Sequence, residues 1–294
     1  MNHQTSPQIT AATSPLVDFW NDVLAPKFTR YRHVLEGGLS RHSETVFPML
    51  GVAQGQRILD VGCGFGDTTL TLARATGPTG AVLGVDCCEA FLDLARTDAA
   101  QGDLSNVTFC CADVEQGLDE PPFDMVFARF GTMFFANPVA GLRAIRACLK
   151  PGGRLAHIVW RQRDDNPWLF TARDIVRQFL PPPGENAVTC GPGPFSMADE
   201  GVTRAQMKAA GFTNIRFERV DVKVRVGRDI EDAIGFQLAI GPAGETFREA
   251  GPLGERRRPE IEAALAEMFE DVMAREGDLW MDSSSWLITA DNPA

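Results

Sequence analysis

The chain has 294 residues, 44% of them hydrophobic, and a formal net charge of −11. That length and content suffice for one large domain with its own core, and no apolar run reaches the roughly 20 residues of a membrane-spanning helix. Acidic residues outnumber basic ones, 39 to 28, which argues against a broad phosphate-binding face and so against a nucleic acid partner.

Residues 1–15, MNHQTSPQITAATSP, read as a polar, mobile leader with no secretory pattern. Residues 16–50 hold two helix-like stretches, LVDFWNDVLAPKF and LSRHSETVFPMLGV, separated by Gly37-Gly38. From residue 57 the pattern changes. RILDVG, AVLGVD, NVTFCCAD, FDMVFAR and RLAHIVWR are short apolar runs that read as buried strands. Between them DTTLTLARAT, EAFLDLARTDAAQ and NPVAGLRAIRACLK read as helices, the last ended by Pro151-Gly152-Gly153. This alternation predicts a doubly wound α/β fold, a parallel sheet covered on both faces.

After 161 the alternation stops. Residues 161–200 enclose WLFTARDIVRQFL between breaker-rich segments and read as an inserted lid; EGVTRAQMKAAGF then predicts a helix closed by Gly211. TNIRFERVDVKVRV alternates as an antiparallel edge strand would, residues 229–275 are helical with Gly and Pro interruptions, and WLITA at 286–290 is a last strand. The Arg256-Arg257-Arg258 run reads as a solvated loop or helix start.

Ile58-Leu59-Asp60-Val61-Gly62-Cys63-Gly64-Phe65-Gly66 is a strand running into a glycine turn. Glycines there let a ligand approach the backbone. A dinucleotide fingerprint would place a small residue next, but Asp67 stands there, and a carboxylate at a helix N-terminus repels a pyrophosphate. Asp86 ends the second strand, where a carboxylate accepts from a ribose diol, and Asp113-Val114 follow the third, within reach of an adenine. Three successive strand ends thus converge on one crevice.

ILDVGCGFG, GVDCCEAFLDLAR, CADV, FDMVFARFGTMFF and LKPGGRL resemble the ordered motifs of class I S-adenosylmethionine-dependent methyltransferases, strongly over 55–160. FARFGTMFF followed by NPW and GPGPF is similar to the ubiquinone/menaquinone-type small-molecule methyltransferases. The resemblance implies a Rossmann-like, mostly parallel seven-stranded sheet with one antiparallel strand, residues 214–226 and 285–290 supplying strands six and seven. It implies a single domain over 16–294, with 16–50 as a helical cap and 161–200 and 229–275 on the acceptor side. It implies S-adenosylmethionine as cofactor, S-adenosylhomocysteine as product, and a small apolar or aromatic acceptor. Gly62, Cys63, Gly64 and Gly66 would line the methionine portion, Asp60 would hold its amino group, and Thr68 its carboxylate. Asp86 with Cys87 would take the ribose, Asp113 and Val114 the adenine. Arg129 and Phe130 would face the sulfonium, and Trp20 and Tyr31 would cover the cofactor.

Methyl transfer needs a base only when the acceptor must lose a proton. His157 in the fifth strand, His33 and His42 in the cap, and Arg129 are the catalytic candidates; a histidine in such a place more often has a structural role than a catalytic one. An apolar acceptor pocket is expected from Phe130, Met133, Phe134, Phe135, Trp160, Trp168 and Phe195. The seven cysteines, Cys63, Cys87, Cys88, Cys110, Cys111, Cys148 and Cys190, are odd in number and lack metal-ligand spacing. Reduced thiols, no metal and a cytoplasmic setting are expected, with a homodimer as the assembly to test. An NAD-dependent oxidoreductase and a non-catalytic cofactor-binding subunit stay open as alternatives.

Overall fold

The computed structural model describes residues 15–184 and 191–293. The leader expected over 1–15, save its last residue, lies outside the described residues, as does Cys190. The apolar runs form strands β1 (Arg57–Val61), β2 (Ala81–Asp86), β3 (Val107–Cys111), β4 (Phe123–Arg129) and β5 (Leu149–Trp160), followed by β6 (Thr213–Arg225) and β7 (Trp280–Asp291). They make one sheet in the order β3-β2-β1-β4-β5-β7-β6. Period-two alternation divides each central strand between the two faces. Leu59, Val61, Val126, Ala128 and Leu155 pack on one face; Ile58, Val82, Met125, Phe127 and Ile158 pack on the other. Burying each of these side chains other than Ala128 stabilises the fold by roughly 1.5–3 kcal/mol.

The helices are α1 (Pro15–Phe19), α2 (Ala25–Arg30), α3 (Arg32–Gly37), α4 (Ser40–Leu50), α5 (Asp67–Thr76), α6 (Glu89–Gln101) and α7 (Pro138–Ala147). They continue as α8 (Pro167–Val176), α9 (Glu200–Ala209), α10 (Ile230–Ala239), α11 (Gly241–Ala250) and α12 (Pro252–Glu276). A π-helical turn, Trp20–Leu24, joins α1 to α2. Ala172 and Val176 of α8 pack with Leu238 of α10, Phe247 of α11, and Ile261 and Leu265 of α12. The two segments that interrupt the alternation in sequence are therefore one helical layer in space.

The sheet corrects the sequence reading in three places. β6 is the edge strand and pairs antiparallel with β7, but the strand reversed against the sheet is β7, inserted between β5 and β6. β7 also starts well before 286: Ser283, Ser284 and Ser285 are buried in it because side chains from elsewhere bond their hydroxyls. Pro151-Gly152-Gly153 does not end a helix. α7 stops at Ala147, and the Pro-Gly-Gly lies within β5 at a register shift against β4. Asn292 holds that irregularity, exchanging backbone hydrogen bonds with Gly152 and Gly153 at 2.9 and 2.8 Å.

Candidate active site

The strand order reverses between β1 and β4, where open α/β sheets bind ligands at their C-terminal edge. There the turns after the two strands lie against each other. Gly62 has φ +64°, and a Cβ on it would stand 3.0 Å from the Gly131 Cα. Gly66, at φ +82°, meets a different neighbour: its Cβ would come 2.8 Å from that of Ala95 on α6. The first glycine allows two loops to touch; the last seats α5 against α6.

Asp86 closes the turn from the second strand end. Its carboxylate accepts the Gly64 N–H at 2.9 Å and the Cys88 N–H at 3.0 Å. Burial raises its pKa, and the backbone N–H groups of Gly64, Cys88 and Cys87 oppose the rise. Asp113 accepts the Glu115 N–H at 3.0 Å and so caps the short turn Val114–Gln116. Glu115 reaches across to the loop after β4, accepting from the Ala136 and Asn137 N–H groups. Asn21 of the π-helical turn donates to the Cys87 carbonyl at 3.1 Å, which fastens the cap to the end of β2.

A cavity of about 330 Å³ opens at these strand ends. Asp86, Asp113, Val114, Gly62, Cys63 and Gly64 form one end. Trp20 and Phe28 from the cap form another wall, with Trp20 edge-on to Phe28 and to Phe134 at 5.3 and 5.0 Å. An aromatic ladder crosses the remaining side. Phe130 stacks on Trp160 at 3.8 Å, Trp160 meets Trp168 of α8 at 5.2 Å, and Trp168 lies parallel to Phe236 of α10 at 6.4 Å. Phe130 holds φ +57°, a conformation that costs a non-glycine residue about 1–3 kcal/mol and is tolerated where packing over-determines it.

Not every residue singled out from the sequence faces this space. Asp60 is fully buried and accepts the Thr68 and Thr69 hydroxyls, both at 2.7 Å, on one oxygen. Burial pushes its carboxyl up to about 7. Asp60 and Thr68 therefore bond each other beneath the turn and neither lines the cavity, while Asp60 Oδ1 has no partner among the described residues; Gly66 is walled off by α6. Tyr31 lies behind the ladder, edge-on to Phe236 at 5.7 Å, and Phe195 packs on Phe170 at 4.9 Å; neither lines the cavity. Sequence reasoning missed a pair that does. Arg129 donates to both Asp67 oxygens at 2.7 Å and to the Ser43 hydroxyl at 3.0 Å. Asp67 was visible as an anomaly after the glycines, but nothing in the sequence paired it with Arg129.

The histidine candidates lie outside the cavity lining, each held by a polar neighbour. His157 is sealed in β5, bonded to Thr132 at 2.9 Å, and burial lowers its pKa to about 3. His42 is held between the hydroxyls of Ser283 and Ser285 at 2.9 and 2.8 Å and is likewise lowered to about 3, by burial first and then by Arg129. His33 bonds Asp232 at 2.6 Å, joining α3 to α10. No histidine lines the cavity among the described residues. Asp86, Cys87 and Cys88 set potential metal-ligand atoms within 4.8 Å of one another. Both Asp86 oxygens already accept backbone N–H groups, and the Cys88 thiol is pushed up by its bond to Cys87 and by burial. We assign no metal there.

A switch-point cavity with carboxylates at the second and third strand ends defines an α/β protein built for a nucleoside-bearing cofactor. Residues 53–174 match the family model described as a methyltransferase domain. The ubiquinone/menaquinone biosynthesis C-methyltransferase UbiE of Ectopseudomonas mendocina is 30% identical over 208 residues, spanning 67% of this chain and 81% of that protein. The demethylmenaquinone methyltransferase of Staphylococcus aureus is 31% identical over 134 residues, 44% of this chain and 54% of that one. In fold, the chain is similar to Haemonchus contortus phosphoethanolamine N-methyltransferase 2, solved with S-adenosyl-L-methionine. The TM-score is 0.56 at 16% identity, over 96% of this chain and 61% of that one. The chain belongs to the class I S-adenosylmethionine-dependent methyltransferases. An oxidoreductase reading and a non-catalytic one are not favoured.

Proposed function

We propose that the protein transfers the methyl group of S-adenosylmethionine to a small, largely apolar molecule enclosed between the cap and the helices α8, α10 and α11. One observation carries this reading: the polar end built by the strand termini is continuous with the aromatic wall. Asp86 takes the ribose diol, its oxygens keeping acceptor capacity beyond the two backbone bonds. Asp113 and Val114 take the adenine, and the Gly62–Gly64 backbone passes beneath the methionine portion. The Asp67–Arg129 pair, which sits on the wall in place of Asp60 and Thr68, offers opposite charges to the amino and carboxylate groups of that portion. Phe130 and Trp160 border the space where the acceptor lies.

The cofactor supplies an electrophilic methyl group on sulfur, and the acceptor displaces it in line. The chain's own contribution is alignment and exclusion of water. Asp86, Asp113 and the glycine turn fix one reactant; Trp20, Phe134 and the ladder restrict the other. No histidine base is invoked, so an acceptor that must lose a proton does so to solvent or through a group of its own. The apolar wall favours a small acceptor over a protein or a nucleic acid. The odd cysteine count supports a cytoplasmic setting.

Parallel titrations with S-adenosylhomocysteine and NAD test the cofactor reading: binding of the first alone is expected, and binding of NAD alone refutes it. Labelled S-adenosylmethionine offered with a panel of small aromatic acceptors tests the transfer.

A further inference from the structure

The cofactor assignment leaves one charged part of the cavity unused. Lys27 of α2, and Glu245 and Arg248 of α11, line the helical wall near Leu16, Phe19 and Leu24. Arg248 is counter-charged. It pairs with Glu249 at 2.8 Å, Glu245 acts on it through space, and its guanidinium lies 5.2 Å over the Phe19 ring. Lys27 differs. Among the described residues no carboxylate pairs with it, and the charge that acts on it is another cation, Arg248. Burial and Arg248 both hold its ammonium below the ordinary range. A half-buried ammonium under the field of a guanidinium is stabilised by a counter-charge brought into the same space.

The cofactor is a poor source of that charge. Its reacting centre is a positive sulfonium, and its one carboxylate is matched by Arg129 at the methionine end. The acceptor is the remaining reactant able to bring a counter-charge into this part of the cavity. Its magnitude is bounded as well: on this wall Lys27 alone has no carboxylate paired with it among the described residues, and Glu245 on the same wall repels a doubly charged group.

We propose that the acceptor combines an apolar body with one carboxylate group, seated against Lys27 and Arg248. This rests on the reading of the cavity as a methyl-transfer site. The body occupies the space bounded by Phe28, Phe134 and Phe236, and the carboxylate fixes which end of the molecule turns away from the sulfonium. A neutral acceptor would leave Lys27 uncompensated, so the ion pair selects acceptors by charge as the aromatic wall selects them by shape.

Calorimetric titration of the S-adenosylhomocysteine-loaded protein tests this, with 3-phenylpropanoate and decanoate as probes, each against its carboxamide. At least one carboxylate is expected to bind about tenfold or more tightly than its amide, the range of a hydrogen-bonded charge. Lys27→Gln is expected to erase that preference, and Lys27→Arg to keep it. Equal binding of acid and amide, no binding of any probe, or a preference that survives Lys27→Gln overturns the proposal. Binding of S-adenosylhomocysteine is read in its own titration. Its absence from the wild-type protein refutes the underlying methyl-transfer reading, whereas its presence with no acid preference refutes the carboxylate alone.

Discussion

Replacing Asp86 with alanine removes one carboxylate that holds two backbone N–H groups at 2.9 and 3.0 Å and also faces the cavity. The two roles separate in measurement. Without its acceptor the turn after β1 loses hydrogen bonds to a charged group, so the folded state is destabilised by about 1–3 kcal/mol and the melting temperature falls. The ribose assignment predicts a second loss. Hydrogen bonds from a diol to a carboxylate contribute roughly 1.5–3 kcal/mol, so S-adenosylhomocysteine affinity should fall about 10- to 150-fold. Calorimetry measures that loss, and a thermal melt of the same variant measures the first. A variant that melts earlier but binds S-adenosylhomocysteine as the wild type does would show that Asp86 only shapes the turn. Asp86→Asn refines the result: its single carbonyl oxygen can keep one of the two backbone bonds, so stability should recover more than affinity.

Asp67→Asn breaks a bidentate pair whose side chains are only 25% and 12% exposed, leaving Arg129 charged and partly buried. A loss of about 1–3 kcal/mol in stability is expected, with weaker S-adenosylhomocysteine binding; unchanged affinity would remove this pair from the cofactor site. The Asp60 carboxyl, raised to about 7 in the fold from 3.8, favours the folded state most below about pH 4, and that contribution is lost as pH rises through 7. Asp60→Asn should therefore gain stability relative to wild type between pH 5 and 8, and melting curves with a constant difference across that range would contradict the assignment. His42 and His157 have folded values near 3, below the ordinary 6.5, so their contribution is complete above about 6.5 and is lost as pH falls toward 3. His157→Gln should leave the pH–rate profile between 6.5 and 8 unmoved while changing acid stability; a shifted profile would restore His157 as a base.

What the sequence determined by itself is local. Ile58, Leu59 and Val61 read as a buried strand because a parallel strand covered on both faces needs apolar residues on both. The glycine turn, Asp86 and Asp113 were legible because each stands at a strand end, and strand ends can be counted along the chain. The same counting could not say which way a side chain near the turn points. Asp60 and Thr68 have residue types suited to a ligand, yet they bond each other outside the cavity lining, because a buried carboxylate oxygen takes the nearest donors.

The tertiary structure decided the rest. Arg129 and Asp67 are 62 positions apart, and His42 and Ser283 are 241 apart. Lys27 and Arg248 act on each other through space because α2 and α11 both line the same cavity. The serine-rich start of β7 carries no apolar signal; its hydroxyls are buried because His42 and Arg161 supply partners from elsewhere in the chain, and Asn166 accepts the Ser284 backbone N–H. Secondary structure follows from the spacing of residues along a strand or helix, which sequence displays. Pairing of charges and hydrogen bonds depends on which distant groups packing brings within about 3 Å, and that is fixed only when the chain has folded.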